Sequence, residues 1–123
     1  MAYTAPNNLV NEYTVNVALS STSATSLLSN AASSGRVLKV LSIVAANVDG
    51  TNAADISVSR YSAAALGGTA FPIASTISVP ADASLIVSDT TTPVVLAANT
   101  SLGATAGTSN AIVMTVTYQE LLG

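Results

Sequence analysis

The chain of 123 residues has no cysteine, no histidine and no tryptophan. Without cysteine there is no disulfide framework, no thiolate nucleophile and no structural zinc site of the thiolate kind. The redox compartment is therefore unread. Without histidine the commonest general base is missing as well. Four tyrosines and one phenylalanine are the only aromatic residues, so a sugar-stacking platform is poorly supplied. Charge is scarce too. Glu12, Arg36, Lys39, Asp49, Asp55, Arg60, Asp82, Asp89 and Glu120 make up 7% of the chain, against about 25% in an ordinary domain.

These shortages exclude whole classes of partner. A net charge of -3, with Arg36 and Lys39 as the only basic pair, leaves no footprint for nucleic acid. A positive mean hydropathy of +0.57 comes from scattered Ala and Val. No run approaches the roughly 18 apolar residues of a spanning helix, so no membrane partner is expected and the chain reads as soluble. The opening "MAYTAPNNLVNEY" has neither a basic nor an apolar leader region, and no secretory signal is read there.

Small neutral residues fill the space that charge leaves. Ala, Ser and Thr supply 54 of the 123 residues, so most exposed positions must carry them. Such a surface has little like-charge repulsion to hold other molecules off. It suits a highly expressed or secreted protein of cheap composition, or a subunit whose faces are covered in an assembly. Uncharged edge strands normally need covering, which favours the second reading. Leu, Ile, Val and Phe supply 33 residues, above the share of about 20% below which chains tend to disorder. One folded domain with a real core is expected.

Apolar positions recur with a period of two, between clusters of Gly, Pro, Asn and Asp. Residues 12–19 place Tyr13, Val15, Val17 and Leu19 on one face, and "ATSLLS" predicts a short second strand. "RVLKVLSIVAA" is apolar on both faces and predicts a central strand, with a buried helix as the alternative. "DISVSRY" turns Ile56 and Val58 inward. "TAFPIASTISV" sets Phe71, Ile73, Ile77 and Val79 on one face, with Pro72 marking an edge or a bulge. "ASLIVS" and two short strands anchored by Leu96 and Leu102 follow. "NAIVMTVTYQEL" closes the pattern with Ile112, Met114, Val116 and Tyr118 alternating. Eight or nine short strands without a helix predict an all-β fold, an antiparallel β-sandwich of jelly-roll-like kind. It spans residues 12–123, behind an extended N-terminal arm of residues 1–11.

No motif of catalysis stands out. Asp49 and Asp55 flank "GTNAA", and Asp82 and Asp89 flank a predicted strand. Paired carboxylates are what a glycosidase needs, but all four sit beside turn residues, where Asp serves local backbone geometry. "DGTNAAD" lacks the regular alternation of a calcium loop. No catalytic residue, metal site or cofactor is assigned.

The phrases "NVDGTNAADISVSRY", "ASTISVPADASLIV", "PVVLAANTSLGATAG" and "IVMTVTYQEL" appear in that order. Across roughly residues 36–121 the chain resembles small virion proteins of tailed bacteriophages, those of cyanophages and other aquatic phages above all. The resemblance implies a non-enzymatic capsid decoration (cement) protein on the virion exterior. Its partners would be the major capsid protein and further copies of itself, a trimer in preference to a dimer. The alternative is a tail-fibre or tail-accessory module for host attachment; a carbohydrate-binding domain and a hydrolase are more distant rivals. The resemblance does not reach the arm. There Tyr3, Leu9 and Val10 sit on a segment too short to bury them alone, and they are the candidate inter-subunit contacts.

Overall fold

The computed structural model describes residues 11–122, and Tyr3, Leu9 and Val10 lie outside them. Nine strands occupy the described chain: β1 (Asn11–Ala18), β2 (Thr25–Asn30), β3 (Arg36–Asn47), β4 (Ala54–Ala63), β5 (Gly67–Val79), β6 (Ser84–Ser88), β7 (Val94–Leu96), β8 (Thr100–Ala106) and β9 (Ile112–Leu122). No helix occurs among the described residues. The strands form two antiparallel sheets, a β-sandwich. Sheet one runs β1-β9-β3-β6, with β7 beside β6 on the free flank of β3. Sheet two runs β2-β8-β4-β5.

Alternation builds the core, because side chains two apart share a face of a strand. Leu38, Val40, Ile43 and Ala45 of β3 meet Ile112, Met114 and Val116 of β9 from the same side. Ile56 and Val58 of β4, with Leu102, Ala104 and Ala106 of β8, close the core from sheet two. Ile56, Val58, Leu96, Leu102, Ile112, Met114 and Val116 are buried as the sequence expects. Of Tyr13, Val15, Val17 and Leu19, however, only Leu19 is buried, with Val15 and Val17 half-buried and Tyr13 exposed on the outermost strand. β3 holds its central place between β9 and the strands β6 and β7.

One expected face does not survive. Of Phe71, Ile73, Ile77 and Val79, only Val79 is buried. The register of β5 against β4 shifts three times, aligning Ile56 with Ile77, Val58 with Ala74, and Arg60 with Phe71. Each bulge breaks the period of two. β5 is also the outermost strand of its sheet, so its inner face overhangs the other sheet. The edge position expected from Pro72 is present.

Two buried asparagines hold the crossings between the sheets. Asn30, the last residue of β2, donates its amide to the carbonyls of Arg36 at 2.9 Å and Leu96 at 3.0 Å. Its Oδ1 accepts from Ser34 Oγ at 2.6 Å. Asn47, the last residue of β3, donates to the carbonyls of Asn52 at 2.9 Å and Val79 at 3.0 Å, and accepts from the Asp49 N–H at 2.9 Å. Both strands end where the chain leaves one sheet for the other, and there the ladder no longer satisfies the backbone. A side-chain amide has one acceptor and two donor hydrogens, which is what such a crossing requires. No described buried side-chain polar atom lacks a partner.

The Asn47→Ala variant should lose about 2–3 kcal/mol of stability, the cost of stranding buried backbone groups, read from urea unfolding midpoints. Asn47→Asp should lose more at neutral pH, because a carboxylate would face two carbonyl oxygens it cannot donate to. An aspartate variant as stable as the wild type would remove Asn47 from this role.

Candidate interaction surface

Asp49, Asp82 and Asp89 lie in the connections between strands, whereas Asp55 is the second residue of β4 and Glu12 and Glu120 belong to β1 and β9. Asp49 Oδ1 accepts the N–H groups of Thr51 at 2.8 Å and Asn52 at 3.1 Å. These bonds hold its carboxyl below the usual carboxylate range. Asp89 is lowered in the same direction, first by the Thr91 hydroxyl and then by the Thr91 N–H. Asp82 has φ +57° and gives its N–H to the Asp49 carbonyl at 3.2 Å. Among the described residues, no three acidic side chains gather where a metal ion would sit. Tyr13 and Tyr118 pack as a tilted pair with ring centroids 5.4 Å apart. Burial, then Glu120 and Tyr13, push the Tyr118 phenol up.

The two outer faces of the sandwich differ. Sheet two is partly covered by its own chain. The turn between β4 and β5 folds back over it, giving the N–H of Ala64 to Asn99 Oδ1, that of Ala65 to Ser29 Oγ and that of Leu66 to Ser101 Oγ. Ala65 and Leu66 both hold positive φ, at 56° and 59°. Two successive L residues in that region are strained, and the three side-chain acceptors compensate. Leu66 lands on Gly103, where an added Cβ would stand 2.7 Å from Leu66 Cδ2 and 3.0 Å from Tyr61 Cε1. Glycine is what lets the turn lie flat there, and Ser101 beside it is fully buried.

Sheet one has no such cover among the described residues. Its register sets cross-strand rows on the outer face: Ile86, Val44, Thr115 and Asn16 form one, and Val95, Lys39, Gln119 and Glu12 another. On the β1–β9 side the rows are polar and, apart from Glu12, neutral. Thr14 bonds Thr117 at 3.2 Å, Thr115 bonds Asn16 at 2.9 Å, and Gln119 bonds Glu12 at 3.1 Å. On the β3–β6–β7 side they are apolar apart from Lys39, with Ile86 65% and Val95 52% exposed. Lys39 is the one basic residue in these rows and Glu12 the one acidic residue. A second exposed group, Phe71, Ile73 and Ile77, lies on the overhang of β5, where the Arg60 guanidinium sits 5.5 Å from the centre of the Phe71 ring.

The structure therefore exposes on one face of sheet one residues that sequence reasoning passed over. Their signal was legible. "LIV" at 85–87 and "VVL" at 94–96 are three apolar residues in a row, and a strand that buries the outer two must expose the middle one. Ile86 and Val95 are those middle residues. Asp49, Asp55, Asp82 and Asp89 form no site together.

No protein-family model matches the chain. No curated protein matches it either. Its fold is similar to that of a subunit of Bacillus endospore appendages, described as disulfide-linked pili, with a TM-score of 0.54 and 13% identity over 93% of this chain and 86% of that one. The disulfides of that family have no counterpart in a chain without cysteine. The fold is also similar to part of a protein of the T13 IBDV viral particle, with a TM-score of 0.50 and 10% identity. That match covers 92% of this chain and 31% of the viral one, so this chain spans about a third of its length. At such identities the likeness is one of fold, an antiparallel β-sandwich shared with subunits of a pilus and of a viral particle.

Proposed function

We propose that the protein is a non-enzymatic virion subunit, a capsid decoration protein that binds the outer surface of a phage's major capsid protein lattice and stabilises the head. The observation that carries this reading is the asymmetry of the sandwich. One face is partly covered by its own loop, and the other is bare, nearly uncharged and, apart from Lys39, apolar in the rows along β3, β6 and β7. A face of that kind gains free energy when a second surface excludes water from it. The strand order supports the reading: β1-β9-β3-β6 against β2-β8-β4-β5 is the order of a jelly roll, with β7 as an addition. So does the resemblance to phage virion proteins. Small side chains lose little rotamer freedom on burial, and many weak contacts on a lattice add through multivalency.

The arm read from the sequence as residues 1–11 completes the proposal, although Asn11 already belongs to β1. The segment upstream of β1 carries Tyr3, Leu9 and Val10, and it lies on a neighbouring subunit or on the capsid protein, where an open sheet edge accepts an extended chain by strand addition.

Ile86→Asp should leave the fold intact, because the side chain is exposed, and weaken capsid co-sedimentation at least about tenfold, roughly 1.4 kcal/mol. Capsids stripped of the protein should lose resistance to heat and regain it on adding the protein back. Unchanged resistance after complete removal, with binding to host cells in place of capsids, would move the protein to the tail.

Deleting residues 1–10 should preserve the strand signature in circular dichroism and weaken binding to capsids or to other copies, measured by co-sedimentation and by light scattering. Wild-type behaviour in both would leave the sandwich faces as the only contacts.

A further inference from the structure

Three of the sheet flanks carry devices that discourage pairing with another chain. β5 holds Pro72, three register shifts and Thr76 at φ 51°. β2 has only 6 residues, with a shift between Ser26 and Leu28. The flank of β3 is taken by two short pieces, β6 with 5 residues and β7 with 3, so it offers no continuous edge. Prolines, bulges and short edges are the ordinary means of preventing edge-to-edge association.

β1 has none of them. Its 8 residues pair with β9 in unbroken register, from Asn11↔Glu120 to Ala18↔Val113, and contain no proline. Its one charge, Glu12, lies on the outer face and accepts a hydrogen bond from Gln119. Among the described residues β1 pairs with β9 alone. Its other edge is a regular row of backbone donors and acceptors. Tyr13 is exposed beside that edge, while Val15 and Val17 are half-buried.

We infer that β1 pairs antiparallel with β1 of a second copy, about a twofold axis through Val15, joining the two copies of sheet one into one continuous sheet. The sequence of β1 is self-complementary in this register. Val15 stands opposite itself, Tyr13 opposite Val17, Thr14 opposite Asn16, and Glu12 opposite Ala18. Every apolar residue of the inner face then meets an apolar one. Shifting the centre to Thr14 would put Asn11 against Val17, and centring between two residues would set inner-face against outer-face side chains. The two copies of Glu12 fall about 20 Å apart along the strand, six positions at about 3.4 Å each. That exceeds the Debye length of about 8 Å in physiological salt, so they do not repel. An isologous pairing uses the one unguarded edge of each copy and leaves neither open. The pairing goes beyond the capsid reading and holds whether or not a capsid is bound. It makes the unit twofold, in place of the trimer that the phage resemblance implies.

Register decides the test. Light scattering on the full chain should give a mass about twice 12.2 kDa. Thr14 and Asn16 are exposed on the outer face, so substitutions there spare the core. Thr14→Lys with Asn16→Lys sets like charges across both pairs and should raise the dissociation constant at least about tenfold, with the thermal midpoint of the monomer unchanged. Thr14→Lys with Asn16→Glu sets opposite charges across the same pairs and should keep the dimer. A monomeric or trimeric wild type overturns the inference. So does a dimer indifferent to the double lysine variant, or one that both double variants dissociate alike.

Discussion

A sandwich of two sheets must satisfy the backbone where the chain leaves one sheet for the other, and two buried asparagines do this here. Asn30 and Asn47 each end a strand, and the next strand lies in the opposite sheet. Each collects two carbonyls that the ladders leave over, from segments as distant as Leu96 and Val79. Asn30 also reaches the first residue of β3, and Asn47 is its last, so the central strand of sheet one is held at both ends. Hydrophobic contact alone is non-directional and would tolerate sliding of one sheet on the other; these amides fix where the sheets stop.

With the crossings fixed, the chain can treat its two outer faces differently. The β4–β5 turn accepts two left-handed residues in order to lie on sheet two, and Gly103 leaves room for Leu66. That face needs no partner where the loop covers it. Sheet one spends its small polar residues on a ladder of Thr14, Thr117, Thr115 and Asn16, whose hydrogen bonds satisfy one another without charge. A polar surface of this kind loses less on burial than a charged one, because no ion has to shed its hydration. On the proposed reading, the scarcity of charge follows from faces that are covered on assembly.

The fold was legible because alternation is a local signal. Ile56, Val58, Ile112, Met114 and Val116 are inward for a reason visible within a few residues, and β3 is apolar on both faces. The β5 face was not legible, since bulges at 73–76 depend on how Ser57 meets the Thr76 N–H, 19 residues away in sequence. The asparagines escaped notice for the same reason: "NAASSG" reads as a turn, and nothing in it points to Leu96. The exposed apolar residues of β6 and β7 lay between these cases. Ile86 and Val95 each sit in a run of three apolar residues whose middle member has to face outward.

The pairing of β1 with β9 also sets the order of events during synthesis. Asn11 meets Glu120, so the first described strand has no neighbour until more than a hundred further residues have been made. At roughly 5–20 residues per second a ribosome needs some seconds for that stretch, and such long-range pairing is slow even in the released chain. Throughout that interval β1 has no sheet to belong to, and the face made of β1 and β9 does not exist. Nascent chains on one message therefore cannot associate through it before β9 has been made.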